Sequence, residues 1–308
     1  MAKPVVSVLM PAFNVEKYIA TAIDSILNQT FTNFEFIVLD DGSCDGTVKI
    51  IESYNDIRMK TVFLPKNKGL VSARNSLVEM AQGQYIAFLD SDDIADPSRL
   101  EFQLQYLQSH GLDLCGTDHW VLHQTTGKIK RSKQRHSDAD IRAMISVCSP
   151  LCNPSVMGRT EVFKKTPYLP GNDGAEDYVM WVNLALEGSR FGNVPKNLIT
   201  YRIHENQISQ TQNSKVNTIF DERRAKYLNA LGIDIDLIPR RLHFLDRVKT
   251  GGQFLFTLNQ KIPGISVAAN YQIYSRYQFR SNGIFTPLTR LERLIMAALA
   301  SFQWRLAR

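Results

Sequence analysis

Two hydrophobic periods alternate over the first 115 residues, and that alternation limits the fold more than any other feature. Short apolar runs read as strands: "VVSVLM" (Val5–Met10), "FEFIVLD" (Phe34–Asp40), "MKTVFLP", "QYIAFLD" and "LDLCGTD". Between them lie segments with helical spacing. "EKYIATAIDSILNQ" carries Ile19, Ala22, Ile23, Ile26 and Leu27 on one face. "CDGTVKIIESY" opens with Asp45 or Thr47 as a cap. "GLVSARNSLVEMAQG" ends at Gly83, and "PSRLEFQLQYLQSHG" runs from Pro97 to Gly111. Strands that alternate with helices of this length predict an α/β chain with a mostly parallel sheet, covered on both faces.

Ligands of such sheets bind beyond the carboxyl ends of the strands. Four segments fall there: "PAFNVE" (Pro11–Glu16), "DDGSCDG" (Asp40–Gly46), "KNKGLVSARN" (Lys66–Asn75) and "DSDD" (Asp90–Asp93). The last crowds three carboxylates at the end of an apolar strand. Their repulsion and desolvation need an offset, such as a cation, a helix end or solvent. Asp90 and Asp92 are two apart, so an extended backbone points them the same way. Such a pair can hold a hard divalent ion, Mn²⁺ or Mg²⁺, which also binds phosphate oxygens. Asp93 and Asp96 are candidates to serve the turn or cap the next helix.

The second half is less regular. "VCSPLCNPSVMGRTEVF" suggests a strand at Ser155–Met157, and "GNDGAEDYVMWVNLALEG" a loop running into a helix. "LITYRIHENQIS" reads as a strand with Arg202 and His204 at its end, and Ser214–Leu231 as a helix. Four scattered cysteines, without a Cys-x-x-Cys pair, point to reduced thiols. No apolar run reaches membrane-spanning length, and "MAKPVVSVLM" lacks a signal-peptide pattern, which together predict a cytoplasmic protein.

Charge is uneven. Residues 221–308 hold 14 Lys/Arg and 6 Asp/Glu, a balance of +8, which leaves −2 for the rest. The terminal segment repeats Leu288, Leu291, Leu294, Ile295, Ala298 and Phe302 at helical spacing among arginines. A basic amphipathic helix can pack on the chain, form a homodimer contact, or lie on the inner membrane surface. No helix-turn-helix, zinc or RNA-binding signature is present, which argues against nucleic acid. The missing Gly-x-Gly-x-x-Gly and Gly-Lys-Ser/Thr signatures argue against dinucleotide oxidoreductases and P-loop kinases.

The segments "VSVLMPAFNVEKYIATAIDSILNQTFTNFEFIVLDDGSCDGT", "NKGLVSARN", "YIAFLDSDD" and "EDYVMW" together resemble the inverting family 2 glycosyltransferases of bacterial surface-polysaccharide assembly, which have the GT-A fold. The resemblance covers Val5 to Ser209. It implies a nucleotide-sugar-binding half at 1–115, an acceptor and catalytic-base half at 116–212, and a basic helical extension at 213–308. It implies a UDP-sugar donor, a saccharide or lipid-linked acceptor and Mn²⁺ or Mg²⁺. Pro11, Ala12, Phe13 and Asn14 would line the base pocket, Glu16 would approach the ribose, and Asp41 would accept the uracil N–H. Gly69 and Arg74 would lie near ribose and diphosphate. Ser91 joins the donor set, while Asp90 would meet ribose and metal, and Asp92 would bind the metal directly. Asp177 would be the general base, with Glu176 and Asp173 as substitutes. Arg202 and His204 would reach diphosphate or metal. Tyr178 and Trp181 read either as a sugar-stacking pair or as core, and Pro154 and Ser155 as shaping the acceptor side. The alternative is a non-enzymatic binder of polyanions or membrane surfaces on a GT-A scaffold.

Overall fold

The computed structural model describes residues 3–205, 207, 214–233, 244–281 and 298. In chain order the elements begin β1 (Val6–Ala12), α1 (Ile19–Leu27), β2 (Phe34–Asp40), α2 (Thr47–Glu52), β3 (Met59–Phe63), α3 (Leu70–Met80) and β4 (Tyr85–Phe88). Next come β5 (Ile94–Ala95), α4 (Arg99–His110), β6 (Leu114–His123), β7 (Lys128–Ser132) and α5 (Asp138–Ile145). A 3-10 turn at Asn153–Ser155 precedes β8 (Met157–Arg159), α6 (Thr160–Lys165), α7 (Glu176–Leu186) and β9 (Phe191–Ile203). The last helices are α8 (Ser214–Ala230), α9 (Phe244–Lys261) and α10 (Val267–Ser281).

The chain divides into two compact units. The first comprises residues 1–136 and 151–216, the second 137–150 and 217–308. Residues 137–150, read from sequence as part of the 116–212 half, thus belong with the helical unit.

In the first unit the sheet order is β3-β2-β1-β4-β8-β6-β9-β5, with β7 paired to β6. Strands β1 to β4 are parallel to one another where they pair, as the alternating pattern predicts. The sheet then departs from that pattern, because β8 inserts antiparallel between β4 and β6. The strand expected at Ser155–Met157 is β8, two residues later. The strand expected from Leu198 begins at Phe191. Its early residues pair with β6 and cross a register shift at Thr117–Asp118, which the local pattern does not announce.

Alternate residues of the central strands face opposite layers. Val6, Val8 and Met10 pack with Ile19, Ala22, Ile23 and Ile26 of α1 and with Leu100, Leu104 and Leu107 of α4. On the other face α3 covers β1 and β2. Gly111 ends α4 in the left-handed conformation, φ +58°, as a C-terminal glycine does.

In the second unit Met144 and Val147 pack with Leu228, Phe254, Leu255, Leu258, Ile273 and Tyr274. Asp140 ties α5 to the start of α10, accepting from the N–H of Ser266 at 2.7 Å and from its hydroxyl. Among the described residues no helix is long and apolar enough to cross a membrane. Apart from Ala298, the amphipathic pattern at Pro287–Arg308 lies outside the described residues.

Candidate active site

The strand-end loops of the first unit are stitched together by polar side chains. Asp40 closes its own turn, accepting from the N–H groups of Gly42 and Ser43 at 3.1 and 2.9 Å and from the Ser43 hydroxyl. Gly42 sits at φ +76°, and a Cβ there would lie 2.6 Å from the Lys66 carbonyl carbon, so only glycine fits. Asn14 adopts φ +52°, the one positive value at a non-glycine residue among the described residues. Its N–H donates to Ser43 Oγ and its Oδ1 accepts from the Cys44 N–H, both at 2.8 Å. Glu16 Oε2 accepts from the Gly46 N–H at 2.7 Å. Pro11 and Ala12 are buried beneath this loop pair, and Phe13 is 43% exposed above it.

Asp41 is buried, and its two oxygens accept from the N–H groups of Lys68 and Gly69 at 2.8 and 2.9 Å. It therefore holds the loop entering α3 against the end of β2. Each oxygen retains a second acceptor site.

The three carboxylates of the DSDD segment do not share a partner. Asp90 Oδ1 accepts from Arg74 Nη2 at 2.9 Å. Asp92 Oδ2 is 2.9 Å from His204 Nε2. Asp93 is fully buried and its Oδ1 accepts from the Arg202 N–H at 2.8 Å. The Asp93 N–H in turn closes a turn onto the Asp90 carbonyl at 3.1 Å. Helix α4 is instead approached through Asp96, whose Oδ1 accepts from the Ser98 N–H at 2.9 Å. Ser91 is buried between the carboxylates.

Crowding still marks the titration of this segment. Burial first, then the Asp90 charge, holds the Asp92 carboxyl above the usual aspartate range, with His204 partly offsetting both. Asp93 is pushed well above that range by burial, then by Asp92 and Asp90. Arg99, fully buried in the first turn of α4, is pushed down to about 10 by burial despite nearby carboxylates.

Arg74 is 4% exposed and forks between two carboxylates, Nη2 to Asp90 and Nη1 to Glu176 Oε1. Burial opposes its charge, but Asp90 and Glu176 outweigh it and hold the guanidinium above its ordinary range. Glu176 also accepts from the Gly174 N–H at 2.7 Å. It is thus committed to fixing the entry of α7. Asp177 follows in the first turn of α7, half-buried, and its Oδ1 accepts from the Tyr178 N–H at 2.6 Å. Desolvation, then Asp93, Asp90 and Asp177, pushes the Cys152 thiol well up, so these carboxylates converge on one neighbourhood.

Arg202 lies in β9 and His204 just beyond it, so a strand end rather than a free loop carries them. Arg202 Nε donates to the Asp92 carbonyl and Nη1 to Gln124 Oε1, both at 2.8 Å. Tyr18 packs against both, 5.0 Å beneath the Arg202 guanidinium and 4.7 Å from the His204 ring. Sequence reasoning missed Tyr18, Gln124 and Tyr168, whose ring lies 5.5 Å from the Arg74 guanidinium. No periodicity or spacing marks such partners. Trp181 and Tyr178 are buried in the core, which removes them as sugar-stacking surfaces. Ser155 is also buried and accepts from the Thr117 N–H at 3.2 Å, a scaffold role.

The donor set suits a hard cation. Asp90 and Asp92 supply carboxylate oxygens at the rim and His204 adds an imidazole, a combination that Mn²⁺ accepts readily. Among the described residues no three His, Cys, Asp or Glu side chains form a ready-made metal cage. A divalent ion here would complete its shell with phosphate oxygens and water.

A family model described as "Glycosyl transferase family 2" matches residues 7–166. An uncharacterized glycosyltransferase of Haemophilus influenzae is 33% identical over 254 residues, 76% of this chain and 78% of the relative. An Escherichia coli protein named UDP-Glc:alpha-D-GlcNAc-diphosphoundecaprenol beta-1,3-glucosyltransferase WfaP is 29% identical over 233 residues, 74% of this chain and 87% of the relative. Among solved structures, S. aureus TarS 1-349 in complex with UDP-GlcNAc superposes with a TM-score of 0.61 over 98% of this chain and 92% of that one. At 19% identity, that likeness is one of fold.

Proposed function

Because this chain belongs to glycosyl transferase family 2 and is a glycosyltransferase with the GT-A fold, we propose that it performs inverting transfer from a UDP-sugar to a hydroxyl of a saccharide or lipid-linked acceptor. The setting is surface-polysaccharide assembly on the cytoplasmic side of the membrane. The UDP reading is supported by the names of WfaP and of the TarS complex. Family membership speaks against the non-enzymatic alternative.

One observation carries the reading. Arg74 joins the rim carboxylate Asp90 to Glu176, the neighbour of Asp177. A donor-side acid and the residue next to the candidate base are thereby held by one buried cation. In the proposed reaction the acceptor oxygen attacks the anomeric carbon and its proton passes to the Asp177 carboxylate. The bond from that carbon to the diphosphate breaks, and UDP leaves with the electron pair. A carboxylate is a weak base, and positioning compensates because the proton is lost as the new bond forms. Asp92 and Asp90 would hold a divalent ion, which when bound neutralises charge on the leaving diphosphate. Phe13 and Asn14 would bound the base pocket, Asp41 would offer its spare acceptor site to the uracil N–H, and Gly69 would border the ribose. Glu16, Arg74 and Arg202 act in this scheme through the loops they fix. Pro287–Arg308 keeps its three readings: packing on the chain, a homodimer contact or a membrane-surface helix.

The test is a panel of UDP- and GDP-sugars scored by thermal shift with and without Mn²⁺, followed by product analysis. A bound donor raises Tm by mass action. UDP-sugars should stabilise only with metal. Stabilisation by GDP-sugars alone would overturn the donor reading.

A further inference from the structure

The β6–β7 hairpin is strongly basic. From His119 to Ser137 the sequence contains five Lys/Arg and no Asp/Glu. Lys128, Lys130, Arg131 and Lys133 are exposed, and of these Arg131 is already paired with the buried Asp118 at 3.6 Å. Among the described residues β7 pairs only with β6, so its outer edge is open. Lysines on an open edge strand have an ordinary role, since they discourage edge-to-edge pairing. That role does not account for the apolar residues beside them. Trp120 is 41% and Ile129 60% exposed. The register sets Trp120 opposite Arg131 and Leu122 opposite Ile129, so all four share one face. Lys128 and Lys130, paired with His123 and Val121, project from the opposite face, so the open edge has apolar side chains on one side and lysines on the other.

We propose that this hairpin docks edge-on on an anionic lipid bilayer, Trp120 and Ile129 entering the headgroup boundary from one face and the lysines meeting the phosphates from the other. A soluble polyanion would need the cations alone. An indole and an isoleucine left in water beside them fit an interface that is apolar on one side and charged on the other. The charge complementarity is with the anionic leaflet, whose potential attracts exposed basic clusters.

The hairpin also lies at the candidate site. β6 runs parallel to β9, pairing Leu122 with Arg202 and His123 with Ile203. Gln124, at the hairpin turn, accepts from Arg202 Nη1, and Arg202 donates to the Asp92 carbonyl. Docking here would set the rim that carries Asp92 at the bilayer surface, where a lipid-linked acceptor resides. That use rests on the proposed transfer reaction, but the docking does not.

The test uses the full chain with vesicles of phosphatidylcholine, plain or with about one third phosphatidylglycerol. Wild type should pellet with the anionic vesicles only, and salt should release it. The triple variant Lys128→Glu, Ile129→Ser, Lys130→Glu should bind at least about fivefold less. It retains the whole C-terminal segment, so the loss belongs to the hairpin. Trp181 is fully buried. Trp304 is retained in both proteins, so the part of the vesicle-induced blue shift of tryptophan emission that is lost in Trp120→Phe reports the hairpin. Donor-induced thermal shift should persist in the triple variant, which separates docking from sugar-nucleotide binding and checks folding. Equal pelleting of variant and wild type would overturn the proposal. Binding to polyphosphate without any Trp120-dependent shift on vesicles would overturn it equally, in favour of a soluble polyanion.

Discussion

Arg74 Nη2 lies 2.9 Å from Asp90 Oδ1, an ion pair between the third helix of the first unit and the end of its fourth strand. The other arm of the same guanidinium reaches Glu176. A positively charged residue that sequence resemblance assigned to the diphosphate is thus already neutralised by protein. In the proposed reaction it would act as a positioning residue, and the donor would meet the carboxylates it orders.

Removing Arg74 should be felt in stability first. Arg74→Met leaves two poorly solvated carboxylates without their cation, which costs about 3–5 kcal/mol in comparable buried pairs. Arg74→Lys should lose less, because one ammonium keeps the charge but cannot fork as the guanidinium does. Denaturant unfolding ranks the three proteins. A neutral Arg74→Met would show that the bridge holds nothing.

Asp92→Ala should abolish metal-dependent donor binding. The variant loses the carboxylate that faces His204 and the rim, while Asp41 and the loop network around Asn14 stay intact. Calorimetry of UDP with Mn²⁺ measures this. Unchanged metal-dependent affinity would remove Asp92 from the metal assignment.

Asp177→Asn should leave nucleotide binding within about twofold and lower transfer by about 10²–10⁴, the range for a lost general base. Asparagine keeps the shape and an acceptor oxygen for the Tyr178 N–H. Glu176 should not substitute, being held by Arg74 and Gly174. Transfer at the wild-type rate would place the base elsewhere.

Asp93 predicts a pH signature. Its carboxyl is held well above 3.8, the ordinary aspartate value, by burial and by Asp92 and Asp90. The folded state therefore binds this proton more tightly than the unfolded state. Stability from the group is full below the unfolded value and is lost as pH rises through the folded one. Asp93→Asn removes the titration and keeps an acceptor for the Arg202 N–H. The Tm of the variant relative to wild type should climb from acid to neutral pH. A constant difference over that window would contradict the shift.

Local pattern determined a good deal. Apolar runs at period two and helices at period 3.6 located β1 to β4 and their helices, because each element must bury its own face. The strand-end rule then located Asp41, Asp90 and Asp92 at one rim. Other features depended on partners far along the chain. β8 enters the sheet between strands that precede it by about 45 to 70 residues, and no local period encodes such an insertion. The stretch 137–150 joins helices that begin some 70 residues later. The partners of the three carboxylates, at separations of 16, 112 and 109 residues, were likewise beyond sequence reach. The sequence by itself determined which groups carry charge and which strand end they occupy. Tertiary structure decided how that charge is shared: Arg74 on Asp90, His204 on Asp92 and the Arg202 amide on Asp93. The physical reason is that hydrophobic periodicity is written locally, whereas charge compensation is set by whatever the folded chain brings within a few ångströms.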